Sequence, residues 1–216
     1  MPILHGANAS PFVRKVRVAL SVKGIDYESD PVLPFGITDE YRKKSPLGKI
    51  PCFEDGDLVL PDSSVIVAYL ERIQPEPALY PADAGAFARA LWYEEYADSK
   101  CAETFGPKIF FQRVVRAKIL KQPVDEAAVE KAIQEDLPPV LDYLEGEAPE
   151  SGDAIVGGRF SIADIAIGSQ FVNLEHGGVT VDASRWPRLA TYLQAVHANP
   201  HFKSLIEEEK AQLGVM

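Results

Sequence analysis

Cysteine is scarce: Cys52 and Cys101 are the only two in 216 residues, and they stand 49 positions apart. That spacing makes no CxxC pair and no disulfide framework. Four scattered histidines add no zinc-type ligand set, so no metal is expected. No apolar run reaches the roughly 18 residues that a membrane-crossing helix needs. The opening MPILHGANASPF lacks the basic-then-apolar layout of a signal peptide, and a cytoplasmic location is expected. Positive charge is also short, with 22 Lys+Arg against 32 Asp+Glu and a net of −10, which argues against a nucleic-acid partner. Internal repeats, low-complexity tracts, a phosphate loop, a carboxylate pair and a Ser-His-Asp order are all missing.

What is present divides in two. QPEPALYPADAG, residues 74–85, places three prolines and a glycine between helical patterns and reads as an inter-domain linker, with domains at 1–78 and 86–216 joined by 79–85. Before it, strand and helix signals alternate. Pro2–His5 is a short apolar run, Pro11–Lys23 carries a helical stripe closed by Gly24, and Tyr27–Leu33 follows as a second strand. Cys52–Glu54 and Leu58–Leu60 flank Asp55-Gly56, a two-residue hairpin signal, and Ser63–Ile73 is a closing helix. Past the linker, strand signals nearly vanish. Ala86–Leu120 reads as one long helix with a kink or break at Gly106-Pro107, and Asp125–Leu144 as a helix bent by Pro138-Pro139. Ser161 and Asp164 form a capping box, with Phe160 and Ile165 placed as a hydrophobic staple. Helical patterns over Pro187–Ala198 and Pro200–Ala211 end the chain. The pattern predicts an α/β domain followed by an all-helical one.

Three short stretches carry chemistry. Ser10 precedes Pro11, and proline suits the first helical position, so Ser10 reads as a helix N-cap. A helix start also favours an anion, and a thiolate is one; a hydroxyl there can stabilise another molecule's sulfur. In GKIPCF, residues 48–53, Pro51 is either an ordinary edge-strand proline or a cis one that turns the Ile50 backbone outward to an extended peptide. Asp62-Ser63 opens a helix; it either only caps, or offers a carboxylate, a hydroxyl and free N–H groups to an amino acid's ammonium and carboxylate. Cys52 and Cys101 read as buried small hydrophobes. Arg14, Lys15 and Arg17 read as a solvated face. Trp92, Tyr93, Tyr96, Phe105, Phe110 and Phe111 read as core or interface, some of them lining an apolar pocket.

Ser-Pro-Phe-Val-Arg-Lys-Val at 10–16, Ser-Pro-Leu-Gly-Lys-Ile-Pro at 45–51, Asp-Ser at 62–63 and the Ser161-x-x-Asp164 box together resemble the glutathione transferase superfamily over essentially the whole chain. The SPF context is similar to the plant tau class, with theta-like bacterial members also close. The resemblance implies a thioredoxin-like N-terminal domain, a helical C-terminal domain and a homodimer. It gives Ser10 as donor to the glutathione thiolate and Ile50, before cis-Pro51, as backbone partner of the glutathione cysteine. Asp62 and Ser63 would hold the γ-glutamyl end and Lys49 the glycine carboxylate; Phe12 is added to the glutathione set, and Lys43 and Lys44 are looser candidates. Tyr93, Tyr96 and Phe105 would line a pocket for a hydrophobic electrophile.

Departures from the family pattern narrow the chemistry. Ser10-Pro-Phe-Val13 stands where thioredoxins and glutaredoxins carry CxxC, which excludes dithiol chemistry, and no cysteine lies near Ser10 as in beta-class enzymes. Asp62 is one methylene shorter than the more usual glutamate. Asn8 is placed to be a second donor to sulfur, which keeps open a glutathione-dependent disulfide reductase or an isomerase on the same scaffold. A non-catalytic interaction protein of the stringent starvation protein type is the reading of another class.

Overall fold

The structure is a computed structural model that describes residues 1–215. The chain divides between Tyr80 and Pro81 into two compact units. The first is a four-stranded sheet in the order β2-β1-β3-β4, with β1 at Ile3–His5, β2 at Glu28–Asp30, β3 at Cys52–Asp55 and β4 at Leu58–Pro61. β1 and β2 run parallel, joined through helix α1 (Pro11–Lys23); β3 is antiparallel to both β1 and β4. Helix α2 covers Asp39–Lys44 and α3 covers Ser63–Ile73.

One row of the register fixes where function can sit. His5 lies opposite both Asp30 and Cys52, and Cys52 lies opposite Pro61. The chain therefore leaves β1 toward Ser10, enters β3 from Lys49–Pro51 and leaves β4 toward Asp62 at the same end of the sheet. Strand β3 runs one residue further than the sequence suggests: Asp55 pairs with Leu58, so the two-residue loop is Gly56-Asp57, with Gly56 at φ 60°.

Helix α1 begins with Pro11 at its first position and stops at Gly24, whose left-handed backbone (φ 64°) lets its N–H reach the carbonyls of Leu20 and Ser21. Its basic residues are not a solvated face. Arg14 and Lys15 are fully buried and Arg17 nearly so. Lys15 Nζ donates to Ser64 Oγ (2.9 Å) and Arg17 Nε to the Tyr27 hydroxyl (3.0 Å), so long side chains that sequence patterning assigns to water fold over packed surface instead.

The second unit is helical throughout its regular elements. Helix α4 (Ala84–Tyr96) runs on through wider π-helical turns at Ala97–Cys101, one α-helical turn labelled α5 (Ala102–Phe105), and a long π-helical stretch at Gly106–Ile119. Gly106-Pro107 thus opens a wide helix and does not break the chain. Helix α6 (Glu126–Lys131) continues through a π-helical Ala132–Asp136 into α7 (Leu137–Glu147). Pro138-Pro139 sit in the first turn of α7, where a missing backbone N–H removes least.

Helix α8 (Ile162–His176) is buried along its length except at Glu175, with α9 (Pro187–Ala198) and α10 (Pro200–Leu213) following. A Cβ on Gly168 would fall 2.6 Å from Val196 Cγ1, so the absence of a side chain there is what lets α8 pack closely. The capping box forms. Asp164 accepts from the Ser161 N–H (2.8 Å), Ser161 Oγ (3.1 Å), the Ile155 N–H (2.9 Å) and the Tyr192 hydroxyl (2.8 Å). Burial still pushes its carboxyl above the usual range against those four donors. No helix of the described residues is long and apolar enough to cross a membrane.

Candidate active site at one end of the first unit's sheet

Ser10 occupies the N-cap position of α1 in an extended conformation (φ −72°, ψ 129°), and its carbonyl accepts the first intrahelical bond, from Arg14 N (2.9 Å). Its side chain makes no capping bond. The position is that of a cap, yet the hydroxyl is not spent on one. It sits half-buried at the positive end of a 13-residue helix, next to first-turn N–H groups.

Ile50 comes to the same place. The Ile50–Pro51 peptide is cis. Among the described residues neither the N–H nor the C=O of Ile50 takes a hydrogen bond. Gly6, in the β1–α1 connection, has φ 152°, and a Cβ on it would meet Val13 Cγ2 at 2.5 Å and Ile50 Cβ at 3.4 Å. The segment leading to Ser10 is therefore packed directly against Ile50.

Asp62 adopts φ 79°, outside the ordinary range for a side chain of this kind. Its Oδ1 caps α3 by accepting from the N–H groups of Ser64 (2.9 Å) and Val65 (3.2 Å), which leaves Oδ2 facing outward from an exposed residue. Ser63 beside it is 3% exposed. A carboxylate oxygen and a helix start thus stand side by side, the pairing that a zwitterionic amino-acid end requires.

The cations sort themselves by their partners. Lys44 forms an ion pair with Glu54, and Lys43 with Glu40 (2.6 Å), so both looser candidates are engaged inside the unit. Lys49 is exposed and its ammonium makes no ion pair among the described residues. Arg42 is a residue the sequence did not single out. Its guanidinium lies against Gly48, where a Cβ would stand 2.5 Å from Nη1, and Gly48 has φ 63°. The glycine requirement at 48 is the sequence signal for that approach, but it names no partner.

Behind this end of the sheet lies a charged cluster. The buried His5 ring bonds Asp30 through Nδ1 and Glu54 through Nε2, each at 2.6 Å. The Lys44 hydrogen bond holds the Glu54 carboxyl below its usual range, with burial opposing and His5 adding to the effect. Burial pushes the Cys52 thiol up to about 11. Among the described residues no group of His, Cys, Asp or Glu is arranged to hold a metal ion.

Phe12 is half-buried in the first turn of α1. The aromatics expected to line a pocket separate. Tyr93 is buried, its hydroxyl bonded to Glu147 and to Arg89 (3.1 Å). Phe105 is fully buried with its ring edge-on to Phe171 (5.0 Å between centroids). Both are core residues with no surface to offer a ligand. Tyr96 remains half-exposed, with its ring 4.6 Å from that of Tyr143. Cys101 is fully buried, and burial raises its thiol above the usual range.

Comparison with known proteins gives this geometry a family. Residues 4–78 match the model of the glutathione S-transferase N-terminal domain and residues 110–209 that of the C-terminal domain. Glutathione S-transferase Z1 of Arabidopsis thaliana is 29% identical over 209 residues, covering 93% of this chain and 89% of that protein. Probable maleylacetoacetate isomerase 1 of Drosophila melanogaster is 41% identical over 88 residues, which are 38% of this chain and 36% of that one. The crystal structure of a glutathione S-transferase from Rhodospirillum rubrum F11 aligns with a TM-score of 0.83 at 24% identity over 95% of this chain and 91% of its own, a likeness of fold. A thioredoxin-like sheet domain followed by a helical domain, matched by both family models, makes this chain a member of the glutathione S-transferase superfamily.

Proposed function

We propose that this protein is a glutathione transferase that activates the glutathione thiol for attack on a hydrophobic electrophile. The observation that carries the reading is the Ser10 hydroxyl, placed at the start of α1 and left without a capping bond. In this role Ser10 donates to the sulfur once its proton has gone to solvent, and the helix start adds its partial positive charge. The backbone of Ile50 pairs with the cysteinyl residue, Asp62 and Ser63 hold the γ-glutamyl end, and Lys49 with Arg42 faces the glycine carboxylate. Phe12 and Pro51 border the peptide. Tyr96 belongs to the electrophile pocket; Tyr93 and Phe105, being buried, support it from behind. A cytoplasmic homodimer completes the reading.

Calorimetric titration with glutathione, followed by ultraviolet thiolate absorbance of the complex from about pH 5 to 9, tests it. Saturable binding with a thiol titrating well below its free value of about 8.5 is expected. Absence of binding would leave the fold without this activity.

A second reading has its own support in the likeness to the Drosophila protein named as a probable maleylacetoacetate isomerase and to zeta-class transferases. The same site would then use the bound thiol to isomerise an unsaturated keto acid. Turnover of such an acid with none on aryl halides decides for it. Reduction of a glutathione mixed disulfide, damaged more by Asn8→Ala than by Ser10→Ala, would decide for a reductase.

A further inference from the structure

Lys15 is fully buried, although its place in Val13-Arg-Lys-Val16 reads as surface. Its ammonium donates to Ser64 Oγ at 2.9 Å, reaching from α1 to the first turn of α3. Ser64 in turn donates its N–H to Asp62 Oδ1 at 2.9 Å, and Ser63 lies between the two. One side chain thus ties the helix that begins at Ser10 to the helix that begins at Asp62-Ser63. A charge held in the interior is screened far less than one in water, so it is felt strongly over a few ångströms.

We propose that Lys15 is a positioning residue that makes the start of α3 selective for ligands bearing a free α-carboxylate beside an α-ammonium. This rests on the reading that glutathione binds there. The Asp62 carboxylate supplies the negative pole for the ammonium. The first-turn N–H groups, the Ser63 hydroxyl and the Lys15 charge behind Ser64 supply the positive pole. Because Ser64 Oγ accepts from Lys15, its own hydroxyl hydrogen is turned away from the ammonium and is held in a fixed direction. Lys15 itself touches no ligand; it acts through Ser64 and through its field. A γ-glutamyl end has the matching pair of charges, and a peptide lacking the α-carboxylate has only half of it.

The test is a titration of wild type and Lys15→Met with two peptides, glutathione and 4-aminobutyryl-cysteinylglycine, which keeps the amine and lacks the α-carboxylate. In wild type, glutathione should bind at least about tenfold more tightly. In Lys15→Met, the glutathione Kd should rise about tenfold while that of the analogue moves less than about twofold, so the preference collapses. Turnover at saturating glutathione should stay within about twofold, because the lost interaction is the same in ground and transition states. A merely structural lysine would weaken both peptides alike, and that result, or an unchanged preference, overturns the assignment. Ser64→Ala keeps the lysine and removes its acceptor; it should narrow the preference in the same direction, and a wild-type preference there refutes the role even if Lys15→Met does not fold. Failure of wild type to bind glutathione overturns the glutathione reading itself, and the role of Lys15 with it.

Discussion

Replacing Ser10 by alanine separates catalysis from stability at a single atom. A hydrogen bond to a charged acceptor contributes about 1.5–3 kcal/mol, and each pKa unit corresponds to about 1.36 kcal/mol. Loss of the hydroxyl should therefore raise the pKa of the bound thiol by about one to two units. If the wild-type complex titrates near 6.5, about half of the sulfur is thiolate at that pH; at a pKa near 8 only about 3% is, a loss of about fifteenfold in rate. The sign follows from the direction of the shift. The wild-type site depresses the thiol pKa, so its advantage is largest at low pH and shrinks as pH rises past the variant's value. Initial rates with an aryl halide between about pH 5.5 and 9, with thiolate absorbance alongside, read both quantities. Stability should barely change, because the hydroxyl makes no capping bond; an engaged cap would cost about 0.5–2 kcal/mol. A rate unchanged at pH 6.5, a deficit undiminished at pH 9, or a loss of stability typical of a broken cap would each refute the reasoning.

Three further outcomes are expected. Asp164→Ala should lower stability by about 2–4 kcal/mol, seen as a lower denaturant midpoint, since four donors lose a buried acceptor at once. Ellman's reagent should find no reactive thiol in the native protein and two after denaturation, because Cys52 and Cys101 are buried with raised pKa values. The Glu54 carboxyl is depressed in the folded state, so its contribution is present above its ordinary value of 4.5 and is lost as pH falls through the folded value. Glu54→Gln should accordingly flatten the decline of the urea midpoint below about pH 4.5.

Legibility in the sequence followed periodicity and backbone chemistry. The stripe from Phe12 to Val22, closed by Gly24, and the signal Asp-Gly near 55 led to α1 and the β3–β4 hairpin because turns and caps obey local rules. Helix α2 went unseen: Asp39–Lys44 has one buried residue, Tyr41, and so no apolar period to detect. The π-helical stretches also escape pattern reading, since widened turns move the apolar positions off the 3.6-residue repeat. At the site, Ser10, Pro51 and Asp62-Ser63 were marked by residue type. Arg42 and Lys15 were not, because a cation's partner is chosen by tertiary packing, and Tyr93 and Phe105 looked like pocket residues for the same reason.

Asp62 shows where evolution and engineering would part company on this scaffold. A left-handed φ of 79° suits glycine better than aspartate, and glycine at an N-cap costs only a few tenths of a kcal/mol against a good capping residue. A selection for thermal stability alone would thus drift toward Asp62→Gly and arrive at a sturdier protein with no anchor for its ligand's amine. Retention of aspartate at this strained place is a running record of use. A thermostabilisation campaign should hold position 62 fixed and score its survivors by binding as well as by melting.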